Sequence, residues 1–204
     1  MDKERYKKIQ LELYKSHESL NAHWKEGQRK FIKEWMTQYP KDSVILDIAC
    51  GDGCGLEMFK ELGYEEVWGF EWSKDKAQKA RAHYNLVCGG CDMHELSCEY
   101  EELTDFDVVY SSHTIEHALN PAKVFQEIKK VLKDNGEFVM VLPYPDPSDG
   151  NKEAHCGKYT LGTNLDDDAK KLEQFVYDNG FIIIEKKYDD FREPEVWLRM
   201  KKRM

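Results

Sequence analysis

Short hydrophobic runs alternate with helical patterns through the middle of the chain. Five mainly apolar runs have about the length of a strand: 44–48, 67–70, 86–88, 106–110 and 137–142. Three intervening segments carry apolar residues at helical spacing: 54–62, 74–84 and 121–133. Runs that are apolar along their whole length are typical of parallel strands covered on both faces. The pattern therefore predicts an α/β fold with a doubly wound, mostly parallel sheet.

The first 40 residues are predicted to form a helical extension ahead of a domain at 41–204. Five apolar side chains of this extension fall on one helical face: Trp24, Phe31, Ile32, Trp35 and Met36. Pro40 ends the helix. The extension either packs on the edge of the domain or covers a ligand as a lid. In the second case we expect the ligand to be faced by one or more of Tyr14, His17, Trp24 and Gln28.

The last 60 residues depart from the strand–helix alternation. A proline-rich loop at 143–163 comes first, and its length favours a functional role as a substrate loop. A helix is expected at about 165–178, with Asp166, Asp167 and Asp168 in its first turn, where they would favour the helix dipole. Two strand-like runs follow, starting at Phe181 and Val196. They predict an antiparallel hairpin that brings the sheet to seven strands, with the last strand antiparallel.

Composition narrows the class of partner. The 204 residues include 30 Lys and Arg against 39 Asp and Glu, which gives a formal net charge of −9. An acidic protein is poorly suited to nonspecific binding of nucleic acid or anionic membranes, and no apolar run has the length of a membrane span. The first residues lack the apolar core of a signal peptide. We therefore expect a cytoplasmic monomer or homodimer, with reduced thiols, that acts on a small molecule.

A glycine-rich turn is the strongest local signal. Gly51, Gly53 and Gly55 follow a predicted strand and open a predicted helix. Glycine lets a ligand approach the backbone closely, and a helix start offers N–H groups without partners. The spacing is G-x-G-x-G, whereas dinucleotide-binding loops have G-x-G-x-x-G. Because Leu56 stands at the third glycine position of that pattern, the loop matches NAD-binding proteins poorly.

Acidic residues follow the next two strands. Glu71 ends the second apolar run, 20 residues after Gly51. A carboxylate at that place can accept hydrogen bonds from both hydroxyl groups of a ribose. Asp92 follows the third run and could accept a bond from an adenine amino group while Met93 packs on the ring. Together with the glycine loop, these positions predict a nucleoside site.

On these motifs the sequence resembles the class I S-adenosylmethionine-dependent methyltransferases, in particular the small type 11 enzymes. The resemblance covers about residues 43–200 and rests on DIACGDGCG at 47–55, CDMHE at 91–95 and FDVVYSSHTIEH at 106–117. It implies a Rossmann-like fold, S-adenosylmethionine as cofactor and S-adenosylhomocysteine as product. It also implies that ten residues bind the cofactor: Asp47, Cys50, Gly51, Gly53, Glu71, Trp72, Asp92, Met93, Ser112 and His113.

The resemblance also implies where each part of the cofactor would lie. Asp47, Gly51 and Gly53 would hold the methionine part, and Glu71 would hold the ribose. The adenine would lie at Asp92 and Met93. Ser112 or His113 would stand near the sulfonium.

Three histidines are candidates for the chemistry. A sulfonium methyl group is already activated, so the protein mainly aligns the two reactants and excludes water. A base is needed when the acceptor is a hydroxyl, and neutral histidine suits that role near pH 7. His113, His117 and His155 are the candidate catalytic residues, the last within the 143–163 loop. We expect O-methylation of a hydroxylated metabolite or sugar, without a metal.

Three alternatives stay open at this point. His113-Thr114-Ile115-Glu116-His117 matches H-x-x-E-H, a zinc peptidase signature, although it follows a buried strand and does not lie inside a long helix. An NAD-dependent enzyme would have to tolerate Leu56. The third alternative is a catalytically silent protein that binds the nucleoside without turning it over.

Overall fold

The computed structural model describes residues 1–16, 22–96 and 105–203, with the side chains at 14–16, 22 and 24 outside that description. The described helices are α1 (Lys3–Ser16), α2 (Ala22–Phe31), α3 (Cys54–Glu61), α4 (Lys74–Ala80), α5 (Pro121–Val131), α6 (Lys158–Leu161) and α7 (Lys170–Asp178). A π-helical turn, Ile32–Met36, continues α2, and 3₁₀ turns occupy Met93–Glu95, Ile115–His117 and Asp149–Asn151. Among these described helices, none combines the length and apolar content needed to cross a membrane.

The described strands form one seven-stranded sheet: β1 (Val44–Ile48), β2 (Glu66–Glu71), β3 (Val87–Gly89), β4 (Phe106–Ser112), β5 (Leu132–Pro143), β6 (Phe181–Asp189) and β7 (Glu195–Lys202). Their order is β3-β2-β1-β4-β5-β7-β6. Strands β1 to β5 pair in parallel, and β7 runs antiparallel between β5 and β6. The predicted Rossmann-like α/β fold with a terminal antiparallel hairpin is confirmed. The sheet order reverses between β1 and β4, and ligands bind at such switch points, beyond the carboxyl ends of the strands.

Both faces of the sheet are covered by helices. On one face Phe125 of α5 packs edge-on against Phe138 and Phe181 of the sheet. On the other, Phe31 of α2 contacts Tyr110 and Trp197. The predicted apolar stripe of the extension is buried at Phe31, Ile32, Trp35 and Met36, while the side chain of Trp24 lies outside the described residues. The end of α2 and the π-helical turn therefore pack against the sheet.

The helix expected at 165–178 begins later than predicted. It starts at Lys170, so Asp166, Asp167 and Asp168 lie ahead of it and not in its first turn. Asp168 and Ala169 adopt left-handed backbone angles, with φ values of 60° and 59°, which interrupt an α-helix. The hydroxyl of Tyr144 accepts the N–H of Asp167 (3.1 Å) and of Ala169 (2.5 Å) and holds this turn in place.

Candidate functional site

The glycine turn lies at the carboxyl end of β1 and leads into α3. A Cβ at Gly53, where φ is 96°, would lie 2.9 Å from the Cα of Ala80. A Cβ at Gly55 would lie 2.6 Å from Oδ2 of Asp47, so the third glycine of the motif leaves room for that carboxyl. Ala49 also takes a left-handed angle, φ 58°, a conformation that glycine adopts more easily. The turn thus brings backbone and the Asp47 side chain together at the switch point.

Asp47 is a buried carboxyl beneath this turn. Its side chain is 3% exposed, and Oδ2 has no hydrogen-bond partner among the described residues. Burial raises its pKa well above the ordinary value, and the charge of Glu71 adds to the effect. A buried carboxyl oxygen without a donor is costly. An ammonium group supplied by a ligand would meet this need, and the methionine part of S-adenosylmethionine carries such a group.

Glu71 ends β2 and joins the glycine turn to the start of α4. Its Oε2 accepts the N–H of Gly51 at 2.9 Å, and its Oε1 accepts the N–H of Ser73 at 2.8 Å. Burial raises the pKa of Glu71, while these two backbone bonds oppose the rise. The carboxyl group is thus oriented at the place where a ribose is expected.

The candidate nucleoside cleft lies between the ends of β1, β2 and β3 and is narrow here, with a free volume of about 20 Å³. Its walls include four of the residues implicated from the sequence: Glu71, Trp72, Asp92 and Met93. Asp92 also caps the 3₁₀ turn, because its Oδ1 accepts the N–H of His94 at 2.9 Å and lies 2.6 Å from that ring's Nδ1. Burial by itself would raise the pKa of Asp92, but the bonds to His94 outweigh it and lower the pKa to about 2. Asp92 is therefore an anion whose Oδ1 binds His94 and whose Oδ2 lies 3.8 Å from the Lys3 ammonium.

Helix α1 lies over this cleft. The ring of Tyr6, 2% exposed, stacks on Trp72 with a centroid distance of 5.7 Å. Gln10 is fully buried and donates from Nε2 to the carbonyl of Ala154 at 2.8 Å, while Lys3 pairs with Glu95 at 3.3 Å. The helix thus reaches the adenine side of the cleft and the 143–163 loop together.

The sequence reasoning did not single out Tyr6 or Gln10. Of the residues it named for a lid, His17 lies outside the described residues, as do the side chains of Tyr14 and Trp24. Gln28 donates to the Tyr110 hydroxyl at 3.4 Å, and its Nε2 lies beside Gly55. Tyr6 and Gln10 are four residues apart on one helical face, but α1 is too polar for that spacing to stand out.

His113 stands just beyond β4 in a left-handed conformation, with φ 50°. Its Nε2 lies 2.9 Å from Oε1 of Glu195, and its Nδ1 lies 3.3 Å from Oε1 of Glu193. Burial lowers the pKa of His113 to about 4, although the bond to Glu195 works the other way. Burial by itself would raise the pKa of Glu195, but the His113 bond and the Arg192 charge outweigh it and lower the pKa to about 2. At neutral pH the pair is a neutral imidazole that donates from Nε2 to a carboxylate, with Nδ1 as the unprotonated nitrogen.

Arg192 and Glu195 are site residues that the sequence reasoning missed. The Arg192 side chain is 1% exposed; its Nε lies 2.6 Å from Oε1 of Glu195, and its Nη2 donates to Oγ of Ser112 at 3.4 Å. Its stem lies where any side chain at position 27 would overlap it, so Gly27 is required there. Both residues belong to the β6–β7 hairpin, about 80 positions from β4, and no local motif marks them.

His117 and His155 meet on the other side of His113. Their rings pack edge to face, with centroids 4.5 Å apart. Nδ1 of His117 lies 3.0 Å from the carbonyl of Ala154, and Nδ1 of His155 lies 3.0 Å from Oδ2 of Asp146. The fully buried Lys158 ammonium also contacts Asp146, at 3.1 Å. These contacts hold the 143–163 loop against the site, and the catalytic roles of the two histidines stay predictions.

The H-x-x-E-H stretch does not form a helix. Residues 113–117 leave β4 and pass through a 3₁₀ turn, so His113 and His117 do not share a helical face. His113 turns its Nε2 to Glu195, and His117 turns its Nδ1 to a carbonyl. Across the described ranges, no three His, Cys, Asp or Glu side chains are arranged to hold a metal ion. The geometry gives the zinc peptidase alternative no support.

Comparison with known families relates part of the chain to methyltransferases. Residues 46–140, which run from β1 into β5 and make up slightly less than half of the chain, match the family model described as a methyltransferase domain. This segment is similar to methyltransferase domains. It contains Asp47, the glycine turn, Glu71 and His113, whereas Arg192 and Glu195 lie beyond it.

The curated relatives that this chain matches are longer proteins. A ubiquinone biosynthesis O-methyltransferase of Hydrogenovibrio crunogenus is 28% identical over 110 residues, 52% of this chain and 44% of that protein. Phosphoethanolamine N-methyltransferase 3 of Arabidopsis thaliana is 26% identical over 171 residues, 81% of this chain and 34% of that protein. The chain thus spans less than half the length of either relative.

Solved structures show the same fold. A protein from Pyrococcus horikoshii OT3 superposes with a TM-score of 0.67 at 19% identity, with all of both chains covered. Magnesium protoporphyrin IX methyltransferase from Synechocystis PCC 6803, crystallised with bound SAH, gives a TM-score of 0.63 at 12% identity. That match covers 98% of this chain and 94% of the other. At these identities the likeness concerns the fold alone.

Proposed function

We propose that this chain transfers a methyl group from S-adenosylmethionine to a small-molecule acceptor and releases S-adenosylhomocysteine. The observation that carries the proposal is the buried Oδ2 of Asp47, which has no hydrogen-bond partner among the described residues and lies under the glycine turn. The ammonium group of the cofactor's methionine part would give this carboxyl its counterion. A nicotinamide dinucleotide has no such group to offer here.

The remaining cofactor contacts follow the cleft. Glu71 would accept bonds from the ribose hydroxyls, and Trp72, Asp92 and Met93 would surround the adenine. Cys50, Gly51 and Gly53 would let the methionine part approach the backbone. Ser112 and His113 would stand near the sulfonium. The bound cofactor supplies an activated methyl group, so the protein's part is to align the reactants and exclude water.

We further propose that a hydroxyl oxygen of the acceptor takes the methyl group. The O–CH₃ bond forms as the S–CH₃ bond breaks, and the hydroxyl proton passes to Nδ1 of His113. The Nε2–H of His113 stays bonded to the Glu195 carboxylate, which stabilises the transient imidazolium. Because the pKa of His113 is about 4, the ring gives the proton up to solvent and returns to its neutral form.

Helix α1 and the 143–163 loop would close the site. Tyr6 covers Trp72, and Gln10 shares the Ala154 carbonyl with His117, so α1 contacts both the adenine side and the acceptor side. Lids that exclude water are common in enzymes that protect a reactive centre. We propose that residues 1–40 act as a lid and that the loop holds the acceptor.

A small molecule fits the acceptor side better than a nucleic acid. The side chains beside His113 include the carboxyl groups of Asp146, Glu193 and Glu195, which would repel phosphate groups. The experiment is to follow a labelled methyl group from S-adenosylmethionine into a panel of hydroxylated metabolites, sugars and transfer RNA. Label in a hydroxylated small molecule supports the proposal, whereas label in transfer RNA alone would refute it.

A further inference from the structure

Glu116 is the most deeply buried carboxyl on the acceptor side. Its side chain is 1% exposed, and neither carboxyl oxygen has a hydrogen-bond partner among the described residues. Its Oε1 lies 3.7 Å from Nδ1 of His113 and 3.9 Å from Nε2 of His117. A carboxyl group removed from water without a donor is strongly disfavoured unless a partner arrives. This group therefore calls for a hydrogen-bond donor or a cation at the site.

Further carboxyl groups surround this position. Oε1 of Glu193 lies 3.3 Å from the same Nδ1 of His113. Burial is the main cause that raises the pKa of Glu116, and the charges of Glu193 and Asp146 raise it further. Burial likewise raises the pKa of Glu193, and the charges of Glu195 and Asp146 add to the effect. These carboxyl groups thus repel one another.

The nearby cations are engaged elsewhere. Arg192 forms its salt bridge with Glu195, and Lys158 forms its salt bridge with Asp146. Neither salt bridge includes Glu116 or Glu193. The Arg192 charge lowers the pKa of both Glu116 and Glu193 and so offsets part of the repulsion. An added positive charge would relieve it further.

An acidic cavity opens beside this cluster. It has a volume of about 560 Å³, and its lining includes five carboxyl-bearing residues, two tyrosines and no Lys, Arg or His. Glu195 belongs both to this lining and to the His113 pair, so the cavity adjoins the reaction centre. The rings of Tyr144 and Tyr188 stack at 5.8 Å, and aromatic faces attract cations.

Lysines outside the cavity balance only part of its charge. Lys30 pairs with Asp189, and Lys186 lies 3.8 Å from Asp168. Within the described part of the chain, Asp166 and Asp190 have no salt bridge to a basic side chain. The cavity therefore keeps an excess of negative charge, and Glu195 connects it to the His113 pair.

We propose that the acceptor carries a protonated amine, which binds at Glu193 beside His113, while the rest of the acceptor extends into the acidic cavity. The inference rests on the proposed methyltransferase function and names the chemical class of its acceptor. It does not depend on which atom takes the methyl group. A cation at Glu193 would also favour the charged form of Glu116, whose pKa is raised by burial, and Tyr144 and Tyr188 would lie along the far end of the molecule.

The test uses three molecules of equal chain length and different charge. The full-length protein, saturated with S-adenosylhomocysteine, is titrated calorimetrically at pH 7 with 1,5-diaminopentane, 1,5-pentanediol or glutarate. We expect the diamine to bind at least about tenfold more tightly than the diol, and glutarate to show no binding. Equal or tighter binding of the diol or of glutarate, or no binding of the diamine, overturns the inference. Failure of S-adenosylhomocysteine to bind is a separate result and would count against the proposed function.

Matched variants locate the amine. Glu193→Gln changes a partly exposed side chain, and Glu116→Gln keeps the shape of a buried one. Each is expected to weaken diamine binding about tenfold or more and to leave S-adenosylhomocysteine binding as in the wild type. Glu65→Gln is the control, because Glu65 is exposed and lies at the amino end of β2, away from the carboxyl ends of the strands. It should change neither diamine binding nor S-adenosylhomocysteine binding. Unchanged diamine binding in Glu193→Gln, which removes an accessible carboxylate without disturbing the core, refutes the assignment.

Discussion

Oε1 of Glu195 lies 2.9 Å from Nε2 of His113. The two residues come from β7 and from the end of β4, so the antiparallel strand inserted between β5 and β6 carries a carboxylate to the switch-point edge of the sheet. Arg192 and Trp197 also bind this carboxylate, at 2.6 and 2.8 Å. The geometry orients a neutral imidazole whose Nδ1 lies beside the carboxyl groups of Glu193 and Glu116, and the proposed proton transfer uses this nitrogen.

Glu195→Gln is expected to slow methyl transfer without weakening the binding of the cofactor. The amide no longer stabilises the imidazolium and no longer fixes which ring nitrogen of His113 carries the proton. We expect a loss of about 10- to 100-fold in kcat, which is within the range of general-base contributions. Steady-state kinetics together with S-adenosylhomocysteine titration measure both quantities. If kcat is unchanged, His113 is not oriented for catalysis by this carboxylate.

The pH dependence of kcat follows from the pKa of His113. Below a pKa of about 4 the ring is protonated and cannot accept a proton, and above it the ring is neutral. We therefore expect kcat to be level between about pH 5.5 and 8, without the fall near pH 6.5 that an exposed histidine would cause. A pH series at saturating substrates tests this. A fall centred near pH 6.5 would contradict the burial of His113 in the working enzyme.

Asp47→Asn should weaken the binding of S-adenosylhomocysteine without destabilising the ligand-free protein. The substitution removes the partner of the cofactor ammonium, so S-adenosylhomocysteine affinity should fall by about 10- to 100-fold, the scale of a charged hydrogen bond. It also removes a buried carboxyl whose Oδ2 lacks a partner, so the Tm of the ligand-free protein should stay equal or rise. Calorimetric titration and thermal unfolding without ligand test the two parts. A lower Tm with unchanged affinity would give Asp47 a purely structural role.

Tyr6→Ala tests helix α1 as a lid. The substitution removes the ring that stacks on Trp72, an interaction of about 0.5–1.5 kcal/mol beyond the area buried. We expect S-adenosylhomocysteine to dissociate several-fold faster, measured by stopped-flow competition. Leu11→Ala, at an exposed position of the same helix, is the matched control. This variant should release S-adenosylhomocysteine at the wild-type rate. Equal rates for both variants would leave α1 as a packing element alone.

The parts of the molecule that the sequence predicts well are those set by local pattern. The strands from β1 to β5 stand out because each contains a mainly apolar run, and Glu71 is marked by its place at a strand end. The expected start of α7 was wrong because Tyr144, over 20 residues earlier, holds Asp167 and Ala169 in a non-helical turn. Such a contact leaves no trace in the local spacing of residues.

The acceptor side illustrates the same limit. His113 was predicted as a site residue, but its partner Glu195 lies 82 positions away and reaches it only through the order of strands in the sheet. Arg192 and Glu193 were likewise hidden in a hairpin that reads as a simple connection. Likewise, Tyr6 lies on a polar helix whose pattern does not mark a buried face. Contacts that depend on the packing of distant elements have to be observed in three dimensions.

The most direct test of the account is a calorimetric titration of the purified protein with S-adenosylhomocysteine, with NADH as the control. We predict micromolar binding of S-adenosylhomocysteine, because its ammonium group can pair with the buried Oδ2 of Asp47. We predict no binding of NADH, because the glycine turn lacks the spacing of dinucleotide-binding loops. Binding of NADH, or no binding of S-adenosylhomocysteine, would contradict the proposed function.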